Sequence, residues 1–418
     1  MAEPIVDRQR LLQHRDLADH NTYNLFSRVI GPENPHILAV ASHLGATNVI
    51  STITKALPKE INLTVIAHKD FAYAFEDPEM RLNRVMKNTP AEILREAKPH
   101  VGLAGFSTEP NAELAMTVGA ENPTVWIQDY PAGITPYYQK TLGLRPEWAP
   151  DYVFTAGAFG AAEEKLKNAL FNESSSSYNP NKVQVEMTGN PYLDRFTRWD
   201  IPGTRSKVRQ NLGVPSDGRL LYYTAVPGES SPEGLRWFAE ASARTGGEKD
   251  WMMYGRHPRE TRNKTPEEIA KRLAAYSDAA RLLPNGLIDV SDFKPEELGL
   301  AFGKTDALIM ASDIVNTTIS STGADAVYGG IASIHSFGEL LKGTEVPDFE
   351  APPEVALGAS IAVHSSEGML DAMRSFSDSS FREGLARKME NFKPTPGATQ
   401  RVVDRLMEIA EGYRNRLA

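Results

Sequence analysis

The sequence predicts an α/β protein of two doubly wound domains facing a central cleft. Three observations carry that prediction. The chain has 418 residues, more than one hydrophobic core fills efficiently, so two domains are the simplest division. Short, nearly continuous apolar runs alternate with helical segments along most of its length, which is the signature of parallel strands covered on both faces. The alternation pauses at a junction rich in Pro, Gly and Asn near residues 189–203 and then restarts. Right-handed crossovers make each set a doubly wound sheet, and ligands of such sheets bind beyond the carboxyl ends of the strands.

From the N-terminus, residues 1–30 carry apolar side chains (Leu11, Leu12, Leu17, Tyr23, Phe26, Val29) at mixed helical spacing before the breaker run GPENP, which predicts a helical extension. HILAVAS (36–42) reads as a strand, SHLGAT as a small-residue loop and NVISTITKAL as a helix. INLTVIAH (61–68) is the next strand, TPAEILREA a helix opened by Thr89, HVGLAGF (100–106) a strand and NAELAMTVGA a helix. TVWIQDY (124–130) and YVFTAG (152–157) are further strands. The low-complexity run FNESSSSYNPN is a surface loop, and VQVEMTGNP (183–191) ends a strand on a Gly-Asn-Pro turn.

The second set of strands is GRLLYYTAV (218–226), DWMMYGRH (250–257), GLIDVSD (286–292), SDIVNTTIS (312–320) and IASIHSF (331–337). Between them lie SPEGLRWFAEASART, TPEEIAKRLAAYS, KPEELGLAFGKTDALIM and TGADAVYG, mostly opened by Ser, Thr or Pro as helices are. The last segment, TPGATQRVVDRLMEIAEGYRNRL, is a capped helix that returns to the first domain. The expected divisions are therefore an extension (1–30), a first domain (31–188), a second domain (189–395) and a C-terminal helix (396–418).

Hydrophobic residues at 41% and charged residues at 24% are ordinary for a globular protein. A net charge of -9 argues against a nucleic-acid partner. No apolar run reaches the length of a membrane span and the N-terminus is too charged for a signal peptide, so a cytoplasmic location is expected. Without a single cysteine, disulfides, thiolate ligands and a Cys nucleophile are excluded. The sequence also has no Walker A loop, no GxGxxG fingerprint and no convincing metal-ligand spacing.

Several strand ends carry chemistry. Ser320, Ser321, Thr322 and Gly323 follow a strand and open a helix, so their hydroxyls and unbonded N–H groups make an anion site suited to a phosphate or diphosphate; an ordinary N-cap would use the same residue types. His257 and Pro258 end another strand between Arg256 and Arg259, a cationic group fit for phosphate or, equally, for a solvated surface. In AVPGESS, Gly228 lets backbone approach a ligand and Glu229 is a polar neighbour. Asp129 lies at a strand end where a carboxylate base would stand, with Glu109 and Glu113 as nearby alternatives; before Tyr-Pro, an Asp is also good turn chemistry.

TGNPYLDRF (188–196), GRHPRE (255–260) and ISSTGADAVYGG (319–330) occur in the order in which similar segments follow one another in GT-B glycosyltransferases. The chain resembles the peptidoglycan UDP-GlcNAc transferase, the lipid A Kdo transferases and the related UDP-GlcNAc 2-epimerases, with two Rossmann-like domains. The resemblance implies a metal-independent glycosyltransferase of bacterial-type glycan or glycoconjugate synthesis. Such an enzyme moves a sugar from a UDP- or CMP-linked donor to an acceptor hydroxyl on a glycan, a lipid-linked carrier or a small molecule. No cofactor is expected beyond the nucleotide-sugar co-substrate, and a homodimer is left open. By the same resemblance Asp325 takes the ribose hydroxyls, where Glu is usual, and His257 faces the nucleotide. SHLGAT resembles the GHxxP-type loop of antibiotic and plant glycosyltransferases, though it lacks the Pro and the leading Gly. His43 would then be the catalytic base, a role that suits an imidazole titrating near neutrality. Two rivals stay open: a UDP-GlcNAc 2-epimerase-like isomerase, although the His-Arg-Arg-Glu-Asn type motif of epimerases is missing, and a sugar-nucleotide-binding protein without chemistry.

Overall fold

The computed structural model describes residues 23–76, 80–83, 90–105, 112–129, 149–156, 183–225, 231–256, 265–318, 320–337 and 352–417. Contacts divide the chain into two units, Met1–Arg195 with Pro394–Ala418, and Phe196–Lys393.

The first unit opens with β1 (Tyr23–Arg28), β2 (His36–Ala41), α1 (Leu44–Ala56), β3 (Asn62–His68) and β4 (Arg81–Asn83). It continues through α2 (Pro90–Ala97), β5 (Val101–Gly105), α3 (Ala112–Gly119), β6 (Thr124–Ile127), β7 (Tyr152–Thr155) and β8 (Gln184–Met187). The sheet order is β4-β1-β3-β2-β5-β6-β7-β8. From β3 to β8 the ladders are parallel, as the apolar runs require. β2 explains why: Ile37, Ala39 and Ala41 enter the core on the side of Val49 and Ile53 of α1, while Leu38 and Val40 enter the opposite core with Leu114 and Met116 of α3. A strand buried on both faces has no polar side, so its sequence shows no alternation.

Residues 23–28 form a strand where the spacing of Tyr23, Phe26 and Val29 predicts a helix. β1 pairs antiparallel with β3 and β4. Tyr23 and Phe26 enter opposite cores, whereas Val29 is 74% exposed and so never belonged to a buried face. Three apolar residues in seven fit both periods, and the free edge of β3 selects the extended one. Leu11, Leu12 and Leu17 lie outside the described residues, as do Thr89 and the Ser174–Ser177 run.

The second unit contains α4 (Ile201–Asn211), β9 (Arg219–Thr224), α5 (Ser231–Thr245), β10 (Asp250–Gly255), α6 (Pro266–Ala280), β11 (Leu287–Asp289) and α7 (Lys304–Ala311). β12 (Ile314–Thr317), α8 (Ser321–Tyr328), β13 (Ala332–Ser336), α9 (Pro353–Ala356), β14 (Ile361–Val363), α10 (Ser366–Ser375) and α11 (Ser379–Glu390) complete it. Its sheet, β11-β10-β9-β12-β13-β14, is parallel throughout. The segment KPEELGLAFGKTDALIM is broken: a 3-10 turn, Pro295–Leu298, ends on left-handed Gly299 (φ 65°) before α7 starts. α6 begins with a full capping box between Thr265 and Glu268.

The chain then returns to the first unit as α12 (Ala398–Leu417), whose Val402, Val403, Leu406 and Ile409 join the α1 side of that core. Its first N–H groups are capped from far away in sequence. Asp194 Oδ1 accepts from Gly397 and Ala398 at 3.0 and 3.1 Å, and Oδ2 from Thr399 at 2.7 Å. Those bonds hold Asp194 to α12 within the first unit.

Candidate functional site

In the first unit β2 lies between β3 and β5, so the chain leaves it in one direction and later returns on its other side. That is the topological switch point, where adjacent loops part and leave a crevice. The loop after β2 carries Ser42 and His43. His43 is the N-cap of α1, in extended backbone (φ -137°, ψ 164°), and its Nδ1 accepts the Ala46 N–H at 3.3 Å. Asp129, two residues beyond β6, brings Oδ2 to 3.8 Å from the same Nδ1. Its carboxylate rests against the first turn of α1, where the helix dipole favours negative charge: a Cβ on Gly45 would fall 1.8 Å from Oδ2. Gly105, at the end of β5, gives the same helix start room to sit on the sheet, since a Cβ there would meet Ala46 Cβ at 2.2 Å.

Glu113, on the first turn of α3, is fully buried beneath this loop. Its Oε1 accepts both the Ser42 N–H and the Ser42 hydroxyl at 2.6 Å. Burial pushes its carboxyl above the ordinary value, and the proximity of His43 and the Ser42 bonds pull the other way. Asp129 is held from behind: Asn190 of the TGNP turn donates from Nδ2 to the Asp129 carbonyl at 2.7 Å and accepts the Tyr192 N–H on Oδ1 at 2.8 Å. Gly189 takes φ +81°, and a Cβ there would be 3.0 Å from Ala398 of α12. His43 and Asp129 are thus brought together, and Glu113, Gly45 and Asn190 support them.

In the second unit the switch point lies between β9 and β12, whose ladder ends at Thr224 and Thr317. The turn after β12 opens α8. Ser320 is its N-cap; Oγ accepts the Thr322 N–H at 3.2 Å and lies 3.0 Å from Thr322 Oγ1. Ser321 is exposed, Thr322 and Gly323 are buried, and Asp325 is half-buried one turn on. Below this turn Thr224, Thr317 and His335 stand in one register row across three strands, all buried. A Cβ on Gly323 would lie 2.5 Å from His335 Nε2, so glycine lets the helix start descend onto the imidazole. Burial lowers the His335 pKa to about 4. Its ring is therefore neutral at pH 7, and the Glu354 Oε1 at 3.5 Å is a polar neighbour and not an ion-pair partner.

Arg256, immediately after β10, donates from Nε to Ser291 Oγ at 2.9 Å and lies 3.5 Å from Asp289 Oδ2. Its guanidinium is engaged with the loop after β11. Gly228, Glu229 and His257 lie outside the described residues. His335 and Glu354 belong to no motif, sitting in an apolar strand and a PPEVA segment, and the one local sign of a close approach beneath the helix is the glycine at 323.

No family model matches the sequence, and no curated protein matches it. Solved structures do match. A UDP-GlcNAc 2-epimerase from Neisseria meningitidis, bound to UDP-GlcNAc, superposes with a TM-score of 0.57 at 16% identity over 89% of this chain and 100% of its own. A UDP-N-acetylglucosamine 2-epimerase described from Listeria monocytogenes gives 0.60 at 15% identity, over 91% and 97%. The wall teichoic acid polymerase TagF gives 0.51 at 12% identity, over 93% and 91%. The fold is GT-B. In this GT-B chain each Rossmann-like unit carries its polar cluster at its own switch point, where the fold puts ligands. Among the described residues, no helix is long and apolar enough to cross a membrane.

Proposed function

We propose that this GT-B protein is an enzyme acting on a nucleotide-activated sugar, transferring the sugar to an acceptor hydroxyl. One observation carries the reading: both sheets end, at their switch points, in a cluster fitted to one half of that reaction. In the second unit the start of α8 offers the Ser320 to Thr322 hydroxyls and a helix dipole to the donor phosphates, with Asp325 toward the ribose. Gly228, Glu229, Arg256 and His257 complete the donor set in this proposal. In the first unit His43 and Asp129 supply the groups that move the acceptor proton. The acceptor's oxygen attacks the anomeric carbon and the electron pair of the broken bond leaves on the phosphate, stabilised by fixed dipoles.

A second reading, 2-epimerisation of UDP-GlcNAc, draws support from the clustering of three titratable side chains, Glu113, His43 and Asp129, around one helix start. Direct transfer needs one base, whereas removing and returning a carbon-bound proton uses more than one. The test is a thermal-shift series with UDP-, CMP-, GDP- and TDP-sugars, followed by NMR of the stabilising sugar nucleotide with enzyme alone. Stabilisation by one class without a change in the sugar supports transfer; a C2 epimer moves the assignment to the isomerase. If no member of the panel shifts the melting temperature, the sugar-nucleotide reading fails.

A further inference from the structure

We propose that His36 and His100 form an acid-sensitive latch at the strand starts of the first unit. It ties β2, β5 and the end of α12 together while the His100 ring is unprotonated, and releases them when that ring takes a proton. His36 opens β2, whereas Ser42 and His43 follow its last residue, so the pair is separate from the His43 cluster and independent of the sugar-nucleotide reading.

The geometry begins with the chain ahead of β5. Lys98 follows α2 in a left-handed conformation (φ 42°), donating its N–H to the Leu94 carbonyl at 3.0 Å, and Pro99 has no N–H to offer. Pairing of β5 with β2 starts at His100, whose N–H donates to the His36 carbonyl at 2.7 Å. In return the His36 N–H donates to His100 Nδ1 at 2.9 Å. A backbone amide only donates, so Nδ1 presents its lone pair and the hydrogen of the neutral ring is on Nε2. Acid then has one place to act on this ring: the added proton goes to Nδ1, and an Nδ1–H no longer accepts the His36 N–H. The His36 ring is placed differently. Its Nε2 lies 2.9 Å from Thr64 Oγ1 of β3, a hydroxyl that either donates or accepts, so that contact survives protonation. His100 is the trigger and His36 is what it holds.

Charge adds to the effect. Among the described residues, the neighbouring segments carry Arg28 and Glu33 ahead of β2, Lys59 and Glu60 ahead of β3, Glu96 and Lys98 ahead of β5, Glu121 ahead of β6, and Arg414 of α12. Arg414 bears on the His100 ring and donates from Nη1 to the Glu33 carbonyl at 2.9 Å. Tyr413 beside it donates to the Glu121 carbonyl at 3.2 Å, so the last turns of α12 are pinned to the loops ahead of β2 and β6. An imidazolium at His100 is a second cation beside Arg414 and repels the helix end as the His36 bond is lost. Burial first, and the Arg414 charge second, hold the His100 pKa below the ordinary 6.5. Burial lowers that of His36 as well, against a hydrogen bond to the Ala97 backbone. With folded values below the unfolded one, the latch is complete above pH 6.5 and opens as pH falls through the folded values.

The full-length chain, 15N-labelled, reports the latch directly. At neutral pH a scalar coupling across the hydrogen bond, between the His36 amide nitrogen and His100 Nδ1, is expected, and it should vanish as His100 titrates below pH 6.5. Amide protection at residues 36–38 and 101–103 and in the last turn of α12 should fall together over the same interval, with β9 and β12 unchanged. The limit for one coupled proton is about tenfold for each pH unit below the folded His100 value. His100→Asn, whose Oδ1 accepts the same N–H and takes no proton, should keep the protection seen at neutral pH and remove its acid dependence. Arg414→Gln, which still donates to the Glu33 carbonyl, should raise the His100 pKa. A His100 ring protonated at Nδ1 at neutral pH overturns the proposal, as does protection that falls equally with acid in wild type and His100→Asn. If His100→Asn does not fold, the coupling and the wild-type protection profile decide alone: a coupling that persists while His100 titrates sinks the latch.

Discussion

Glu113 is the residue whose charge state the fold controls most directly. It has no exposed surface, and burial raises its pKa above the ordinary 4.5. An acid whose folded pKa is raised binds more protons when folded than when unfolded, so its contribution to stability is greatest below pH 4.5 and declines as pH climbs toward the folded value. Glu113→Gln keeps the oxygen that Ser42 bonds and removes the charge. Its melting temperature is therefore expected to gain on wild type as pH rises from about 4.5, the ordinary carboxyl value. Parallel curves at all pH values would show that Glu113 does not titrate in that window. Gly45 works at the same scale. A methyl at Gly45 would stand where Asp129 Oδ2 now lies, so Gly45→Ala should lower kcat with both titratable side chains still present.

At the scale of elements, α8 depends on what lies under its first turn. Gly323→Ala would drive a methyl to 2.5 Å from His335 Nε2 and 2.9 Å from Thr317 Cγ2, with little room for either to yield. Overpacking of this kind costs about 1–3 kcal/mol, read as a drop in the denaturant midpoint. His335 adds a pH term of opposite sign to that of Glu113. Its folded pKa of about 4 is below the ordinary 6.5, so full stability is present above pH 6.5 and is lost as pH falls toward 4. The loss across that window is about 3 kcal/mol, and His335→Gln should flatten it in urea titrations. The TGNP turn is the matching device in the first unit. Asn190→Ala removes the donor to the Asp129 carbonyl and the acceptor for Tyr192 N–H. A cost of about 1–3 kcal/mol is expected, with kcat falling more than KM rises because Asp129 is no longer held.

The two units are built by the same rule and secured differently. The first is closed by a helix from the far end of the chain: Leu406 of α12 is completely buried with Ile37, Val49 and Ile53. Leu406→Ala should cost about 2–5 kcal/mol. The loss is expected in the first unit alone, seen as faster amide exchange in β2 and β5 with β9 and β12 unchanged. In the second unit the securing helix is α4, near the start of that unit. Arg209 bonds the Ala311 and Gly218 carbonyls and Asp313, tying the helix to the strands it precedes.

How much of this was written along the chain follows from the range of each cause. Strands β2, β3, β5, β9, β10 and β13 were legible because burial on both faces leaves a continuous apolar run, α5 and α12 because their periodicity is local, and α6 because its capping box is local too. His43, Asp129 and the Ser320 to Gly323 turn could be read as candidates because strand ends and helix starts are local too. β1 could not be read as a strand, since only the edge of β3 makes it extended. Nor could the Asp194 cap on α12, the Asn190 grip on Asp129, the Ser42 bonds of Glu113 or the imidazole beneath Gly323, each of which joins residues from separate elements. By itself the sequence determined the α/β alternation, its division into two units and the residue types at the strand ends. Only the tertiary structure decided which of those side chains meet and which ring nitrogen of His100 is already occupied, because hydrogen-bond partners and close approach depend on distances that chain order does not contain.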